Sequence, residues 1–250
     1  PAGGRTASAT GAPGSVAPGG VPAALAPGVG YFPTMLSRRS LTPTTLTLFA
    51  VFVVLSVLVV LERTLPFDES LLRWFEAHRT PGRTELMLFF TFIGNGLIEV
   101  PLALMAAWAL WRLGRPRCAK RYVFAALSAE VVYAIAKPLF HRERPRIIER
   151  LADAGWYSYP SGHAMLAPVI YGFGLLLLAK SVRHAGARRV LLAAAFTIPP
   201  MIALSRVYLG VHYPSDVVGA LFLGNAWLLL WSEVPEASSS DATSSLASSR

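Results

Sequence analysis

Three short clusters of polar side chains in this chain have the types and spacing needed to act on a phosphate group. Hydrolysis of a phosphate ester requires cations for the phosphoryl oxygens, an in-line nucleophile and a proton donor for the leaving oxygen. The clusters contain all three kinds of group. They are Lys137 with Arg144 and Pro145, the run Pro160-Ser161-Gly162-His163, and Ser205-Arg206 followed by His212 and Asp216.

Five residues of these clusters are suited to binding phosphate. Lys, Arg and the N–H groups at the start of a helix all favour anions, and a guanidinium can bind two oxygens at once. Ser161 and Gly162 open an apolar segment, so we expect their backbone N–H groups at the positive end of a helix dipole. The predicted phosphate-binding residues are Lys137, Arg144, Ser161, Gly162 and Arg206.

The two histidines of the clusters are candidates for covalent and acid catalysis. Asp216 follows His212 by four residues and can keep one ring nitrogen protonated while the other faces phosphorus. We therefore predict His212 as the nucleophile, Asp216 as its orienting carboxylate and His163 as the general acid. Chemistry alone allows the two histidines to exchange roles, and the position of Asp216 favours this assignment.

The composition indicates where this chemistry takes place. Of the 250 residues 54% are apolar and only 15% are charged, which exceeds the apolar content of a typical soluble domain. The net charge of +9 lies in short connectors between apolar runs, so we expect no nucleic-acid partner. A single cysteine, Cys118, provides neither a disulfide framework nor a cysteine-based metal site. The composition therefore predicts an integral membrane protein, and no cofactor is expected.

Apolar runs long enough to cross a bilayer predict an all-α, polytopic membrane protein with six transmembrane helices. The proline pair at 199 and 200 predicts a kink or an opening in the fifth helix. Residues 62–85 fit either a short amphipathic segment in the interface or an ordinary loop. The predicted spans are Leu41–Leu61, Leu86–Trp111, Tyr122–Phe140, His163–Ala179, Val190–Leu209 and Val217–Trp231.

The two ends of the chain differ from its middle. Residues 1–34 are rich in Gly, Ala and Pro, residues 233–250 are mostly Ser, Ala and acidic, and neither stretch can bury a core. We predict disordered tails around a membrane domain at 35–232. The first apolar run is longer than the apolar part of a secretory signal, so we expect an uncleaved span.

The distribution of basic residues predicts the orientation. The connectors Arg112–Arg121 and Lys180–Arg189 carry five and four Lys or Arg and no acidic residue, which is typical of cytoplasmic loops. Six spans then place both termini in the cytoplasm and all three polar clusters on the outer face. We therefore predict an active site at the outer interface of a membrane, most simply a bacterial inner (plasma) membrane.

The three clusters resemble the signature motifs of the type 2 phosphatidic acid phosphatase superfamily, which also includes bacterial acid phosphatases and vanadium haloperoxidases. Its pattern is Lys, six residues, Arg-Pro; then Pro-Ser-Gly-His; then Ser-Arg, five residues, His, three residues, Asp, and this sequence departs from it nowhere. The likeness extends over roughly Leu41–Trp231. It implies metal-independent hydrolysis through a phosphohistidine on His212 supported by Asp216, with His163 as the acid and the five residues named above on phosphate.

We expect a membrane phosphatase acting on a lipid phosphate or diphosphate, of the undecaprenyl diphosphate or the phosphatidate and phosphatidylglycerophosphate type. A site between helices at the interface favours amphiphilic substrates, and membrane lipids are the other expected partners. The alternatives are a lipid phosphotransferase and a catalytically silent lipid-binding or transport protein; a vanadate haloperoxidase is disfavoured by the membrane-embedded chain. The sequence does not determine an oligomeric state.

Several polar and aromatic residues outside the motifs fit roles other than catalysis. For His141, Arg142 and Arg146 we favour solvated loop charges, with attraction of an anionic substrate as the alternative. Aromatic residues that fit either a lipid entrance or ordinary interfacial positions are Trp156, Tyr208 and Tyr213. Glu99 and Glu130 lie inside predicted spans, where we expect polar packing between helices, with a substrate-related role for Glu130 as the alternative.

Overall fold

The computed structural model describes residues 41–232, which form helices and no strands. The tails predicted at 1–34 and 233–250 lie outside the described residues. The described helices are α1 (Pro43–Val60), α2 (Leu65–Ala77), α3 (Pro81–Ile93), α4 (Gly96–Arg112), α5 (Pro116–Phe140), α6 (Gly162–Ser181), α7 (Ala185–Tyr208) and α8 (Pro214–Ser232).

Local signals in the sequence explain where several helices begin. Thr42 caps α1 by accepting a hydrogen bond from the Thr45 N–H, and Pro43 occupies the first helical position. The same arrangement recurs at α3, where Thr80 accepts from the Arg83 N–H and Pro81 follows it. These helices therefore start where the chain supplies both a capping hydroxyl and a proline with its φ already fixed.

The six predicted spans are present, but the second one is broken. Five helices, α1, α5, α6, α7 and α8, are long and apolar enough to cross a membrane, and α3 with α4 makes a sixth span bent by 58°. The break falls at Gly94-Asn95, where the Asn95 side chain accepts from the Leu97 N–H at 2.9 Å and starts a new helix. The prediction of one continuous helix over Leu86–Trp111 is therefore wrong at this point, because apolar content does not reveal an internal cap.

Helix α6 is the central helix of the bundle. In its most apolar window 67% of the residues are buried, against 17% for α1 and for α5. It contains a π-helical stretch, Pro168–Phe173, which begins at a proline that has no N–H to donate. By contrast, α7 is a continuous helix through Pro199 and Pro200, so the opening predicted there is absent.

Small residues such as Gly174 and Gly219 allow close packing of the helices. A Cβ added at Gly219 would lie 2.5 Å from the Tyr159 hydroxyl oxygen, and one at Gly174 would lie 3.0 Å from Tyr122 Cζ. Any larger residue would push an aromatic ring away from the bundle.

The segment that was predicted as either an amphipathic segment or a loop is helix α2. Leu72 is fully buried against the core around α6, α7 and α8, whereas Phe67 and Trp74 are exposed. The segment is therefore an amphipathic helix and not a loop, and its position in the membrane interface stays a prediction. Helix α2 places one polar residue, Asp68, inside the protein beneath α8.

Candidate active site

The three polar clusters meet at one end of the bundle. Helices α5 and α7 end there and α6 and α8 begin there, so the ends that carry the clusters come together. They surround a cavity of about 260 Å³. Its lining includes six of the eight predicted residues, Lys137, Arg144, Gly162, His163, Arg206 and His212, together with Tyr133 and the loop residues Asp153, Ala154, Gly155 and Trp156.

Arg144 is fixed by the loop that closes the cavity. Its Nε and Nη2 donate to the Gly155 carbonyl oxygen at 3.2 and 2.8 Å, and its Nη1 donates to the Val211 carbonyl oxygen at 2.7 Å. A guanidinium held on several sides loses little further entropy when it binds an anion. The geometry supports the predicted phosphate contact of Arg144.

His212 is buried, and each of its ring nitrogens has a defined partner. Nε2 lies 3.0 Å from Arg144 Nη1, and because arginine only donates, Nε2 must accept. The proton therefore belongs on Nδ1, which lies 3.5 Å from Asp216 Oδ2. The lone pair of Nε2 therefore points at Arg144, and both residues line the cavity.

Ser158 is a neighbour of His212 that the sequence did not reveal. Its hydroxyl donates to Asp216 Oδ2 at 2.5 Å and lies 3.4 Å from His212 Nδ1, and its backbone also hydrogen-bonds the ring. Ser158 lies just before the second cluster and belongs to none of the motifs. Ser158 and Asp216 thus both lie on the Nδ1 side of His212.

The surroundings of His212 disfavour its charged form. Burial, and then the nearby cations Arg144, Arg206 and Lys137, hold the pKa of His212 well below its ordinary value. The ring is therefore neutral at physiological pH, and its Nε2 is unprotonated and accepts the hydrogen bond from Arg144.

Lys137 is held against an aromatic residue that was not predicted. Its Nζ donates to the Tyr133 hydroxyl at 2.8 Å and lies 4.9 Å from the centre of the same ring. The Tyr133 ring in turn covers Gly162, where an added Cβ would lie only 2.7 Å from Tyr133 Cζ. Packing against Tyr133 therefore requires glycine at position 162.

The broken span supports the opposite wall of the site. Thr91, near the end of α3, accepts a hydrogen bond from Arg206 Nη1 through its hydroxyl, and its backbone hydrogen-bonds the His163 ring. A Cβ at Gly94 would lie 2.9 Å from His163 Cδ2, so the break also gives this histidine its space. Thr91 and Gly94 belong to no motif, and only the fold brings them here.

Two predicted residues lie behind the cavity. Asp216 and Ser161 are both fully buried, and the Ser161 N–H donates to the Asp216 carbonyl oxygen at 3.3 Å. The Ser161 hydroxyl has no hydrogen-bond partner among residues 41–232. Its contact with phosphate stays a prediction, because Gly162 and not Ser161 lines the cavity.

Arg142 is not a solvated loop charge, and that interpretation is wrong. Its side chain forms ion pairs with Asp68 at 2.8 Å and with Asp216 at 2.6 Å. Burial by itself would lower the pKa of Arg142, but the attraction of Asp216 and Asp68 raises it above its usual value. The interpretation does hold for His141 and Arg146, which are exposed.

The aromatic and acidic residues considered from the sequence have different positions. Trp156 lines the cavity and is exposed, which fits an entrance. Tyr208 is buried, with its hydroxyl near Thr80 and Thr84, and Tyr213 lies under Arg142. Glu99 and Glu130 are not part of the cavity lining, and Glu99 is buried within the bundle.

Metal ligands are not grouped in this part of the chain. Residues 41–232 contain no set of three His, Cys, Asp or Glu side chains positioned to hold a metal ion. The positive charges that face the cavity are supplied by Lys137, Arg144 and Arg206, and Asp153 adds one carboxylate to the lining.

Comparison with known proteins agrees with the fold and the motifs. Residues 119–239 match the profile of the PAP2 superfamily. The candidate undecaprenyl-diphosphatase YbjG of Escherichia coli (strain K12) is 35% identical over 153 residues, covering 58% of this chain and 72% of that protein. Phosphatidylglycerophosphatase B of Bacillus subtilis (strain 168) is 24% identical over 181 residues, covering 71% of this chain and 87% of that protein.

A solved structure shares the architecture. It is the crystal structure of a transmembrane PAP2 type phosphatidylglycerolphosphate phosphatase from Bacillus subtilis. The TM-score is 0.71 at 23% sequence identity, with 76% of this chain and 95% of the other covered. At this identity the likeness concerns the fold.

The helical bundle and its cationic cavity define an integral membrane protein with a site for phosphate groups. The chain belongs to the PAP2 superfamily. The protein is a membrane hydrolase of the lipid phosphatase class.

Proposed function

We propose that this chain removes phosphate from a lipid phosphate or lipid diphosphate through a covalent intermediate on His212. The observation that carries the proposal is that one cavity joins three cations to His212, whose Nε2 accepts from Arg144 and is therefore unprotonated. A cationic pocket binds the phosphoryl group, and a neutral imidazole nitrogen inside it can attack phosphorus.

In the first half-reaction, a bond forms between His212 Nε2 and phosphorus while the bond from phosphorus to the lipid oxygen breaks. Lys137, Arg144 and Arg206 offset the charge on the phosphoryl oxygens, and Arg144 exchanges its contact with Nε2 for one of those oxygens. His163, on the cavity lining, gives its proton to the leaving oxygen.

In the second half-reaction, water replaces the lipid. His163, now neutral, takes a proton from the water, the new bond from oxygen to phosphorus forms, and the bond to His212 Nε2 breaks. Inorganic phosphate leaves, and both histidines return to their starting states. Asp216 and Ser158 keep the Nδ1 proton of His212 in place throughout.

A lipid substrate is supported by the surface beside the cavity. Leu139 follows Lys137 by two residues, Phe92 follows Thr91, and both side chains are exposed. Exposed apolar side chains on the helices that end at the cavity suit an acyl or prenyl chain that remains in the bilayer. Undecaprenyl diphosphate and phosphatidylglycerophosphate are the substrates to test first, since relatives carry those names.

The proposed setting is a bacterial inner membrane with the active site on the outer side. The connectors at Arg112–Arg121 and Lys180–Arg189 lie at the end of the bundle opposite the cavity, and they carry the densest positive charge. Cytoplasmic loops favour such charge. We assign catalysis to the membrane domain at 35–232, with the tails at 1–34 and 233–250 outside it.

The direct test is phosphate release by the detergent-purified protein from undecaprenyl diphosphate, phosphatidylglycerophosphate and phosphatidate, each with a chelator present. We expect release that resists the chelator and disappears in His212→Ala. An acid-labile, base-stable phosphoryl adduct trapped in His163→Ala and absent from His212→Ala would support the covalent step.

The same experiment separates the alternatives. Phosphate that appears on an acceptor lipid and not in water would assign a phosphotransferase. Lipid binding without any release by the folded protein would indicate the silent lipid-binding alternative, against which the intact arrangement of His212, Asp216 and His163 argues.

A further inference from the structure

Arg142 connects the carboxylate behind the nucleophile to the amphipathic helix α2. Its Nη1 donates to Asp216 Oδ1 at 2.6 Å, and its Nη2 donates to Asp68 Oδ2 at 2.8 Å. Both carboxylates are fully buried. Because each guanidinium nitrogen bonds a different carboxylate, this one side chain fixes α2 relative to the start of α8.

The start of α8 reinforces the same network. The Ser215 N–H donates to Asp68 Oδ1 at 2.9 Å, and the Ser215 hydroxyl donates to Asp68 Oδ2 at 2.5 Å. An acidic side chain from α2 thus satisfies the Ser215 N–H in the first turn of α8, where the helix dipole favours negative charge. The Tyr213 ring packs against Arg142, with the guanidinium carbon 4.2 Å from its centre.

The network determines which oxygen of Asp216 faces the nucleophile. Oδ1 is occupied by Arg142, so Oδ2 accepts from the Ser158 hydroxyl and the Tyr213 N–H and points towards His212 Nδ1. A carboxylate held at both oxygens cannot rotate. The direction of the His212 ring, and with it the line of attack of Nε2, therefore depends on Arg142 and Asp68.

The network also has a net charge that suits the reaction. Two buried carboxylates face one guanidinium, which leaves a negative charge behind His212, on the side away from the cavity. The cations of the cavity oppose positive charge on the imidazole, and the network offsets that effect as the ring becomes positive during attack.

We propose that Asp68 and Arg142 are positioning residues for the phosphatase reaction, acting on His212 through Asp216. The proposal rests on the proposed function and adds to it a part of the machinery that lies on helix α2, outside the three motifs. It predicts that these residues affect the chemical step and leave phosphate binding intact, because the cations that bind phosphate are separate side chains.

The test compares Asp68→Asn with Glu69→Gln in the full-length protein. Asp68 is buried in the network, whereas its neighbour Glu69 pairs with Arg73 on the exposed face of α2. Both changes remove one carboxylate from the same turn of one helix. For each variant kcat and KM would be measured on the preferred lipid, with the inhibition constant of inorganic phosphate and the thermal unfolding midpoint.

We expect Asp68→Asn to lower kcat about 10- to 100-fold, the size of effect that follows from a small misplacement of a reacting group. The KM and the inhibition constant of phosphate should stay within about twofold, and Glu69→Gln should behave as the wild type. Arg142→Lys, which can keep one ion pair but not both, should retain more activity than Arg142→Gln.

Two results would overturn the inference. One is an Asp68→Asn variant with wild-type kcat. The other is a parallel loss of kcat, phosphate inhibition and thermal stability, which would mean that the network only supports the fold. Failure of the proposed function itself looks different, because the wild-type protein would then release no phosphate.

Discussion

At the scale of single residues, the proposed reaction uses three cations on one side of an imidazole and a buried carboxylate on the other. Arg144, Arg206 and Lys137 lie on the cavity side of His212, whereas Asp216 lies behind it. The neutral ring is favoured while the cavity is empty, and an incoming phosphate cancels part of the cationic field. The same residues can therefore prepare a nucleophile before binding and stabilise its positive form after binding.

The stability of the folded protein should fall in mild acid because of His212. Its pKa is lowered on folding, so below the ordinary value of about 6.5 the unfolded chain binds a proton that the folded one does not. The free energy of unfolding therefore keeps the full contribution of the neutral His212 above that pH. It loses this contribution as the pH falls, by no more than about 1.4 kcal/mol per pH unit.

The thermal unfolding midpoint in detergent, followed from pH 7.5 to 5, would measure this contribution. The His212→Asn variant, which cannot titrate there, should show a shallower decline than the wild type. Equal slopes for the two proteins would show that His212 is not held neutral in the fold.

Tyr133→Phe should weaken substrate binding. The change removes the hydroxyl that accepts from Lys137 Nζ but keeps the ring over Gly162. A hydrogen bond to a charged group contributes roughly 1.5 kcal/mol or more, so we expect KM or the phosphate inhibition constant to rise about tenfold. Tyr157→Phe, a change outside the cavity lining, is the matched control, and equal kinetics for both variants would contradict the role of Tyr133.

At the scale of elements, the break between α3 and α4 is part of the site and not a defect in a span. The bend of 58° ends α3 beside Thr91, which contacts both Arg206 and His163. A straight helix would continue the α-helical path through Gly94 and Asn95. The cap at Asn95 therefore shapes the wall against which the proposed general acid rests.

Gly94→Ala should impair catalysis, whereas Gly96→Ala should not. A methyl group at position 94 would lie 2.6 Å from Ile202 Cγ2 and 2.9 Å from His163 Cδ2, but at position 96 nothing lies within 4 Å. Overpacking costs typically about 1–3 kcal/mol, and a displaced His163 should lower kcat by about tenfold or more.

Initial rates on the preferred lipid, with thermal unfolding of both variants, would test this difference. A Gly94→Ala protein that keeps the wild-type kcat would show that the space beside His163 is not needed.

At the scale of the whole molecule, the order of the helices brings the predicted phosphate-binding residues to one face. The ends of α5 and α7 and the starts of α6 and α8 share that face, and the basic connectors after α4 and α6 share the opposite one. If the basic face is cytoplasmic, the substrate enters from the outer leaflet.

Cysteine labelling in intact bacterial cells would test this orientation. In a Cys118→Ala background, Arg146→Cys should react with a membrane-impermeant maleimide, because Arg146 is exposed on the face of the cavity. Arg183→Cys, exposed in the connector between α6 and α7, should react only after the cells are permeabilised. The reverse pattern would place the active site in the cytoplasm.

The sequence by itself determined the membrane class, the six apolar spans and most of the cavity. Span length and apolar content are local properties of the sequence. The types and spacing of residues such as Lys137, Arg144 and His212 predict a phosphate site. Only the tertiary structure decided the rest. Thr91, Tyr133 and Ser158 lie outside the motifs, and the fold brings each of them against a motif residue that is distant in the sequence. The break at Gly94 depends on a helix cap that apolar content does not reveal.

Arg142 shows the physical reason most clearly. From the sequence it is one more basic residue in a polar loop, because a charge on a loop is normally solvated. Its role follows from two carboxylates, 74 residues away on either side, that the fold buries within hydrogen-bonding distance of it. A buried carboxylate requires a partner, and which partner it finds is decided only when the helices pack.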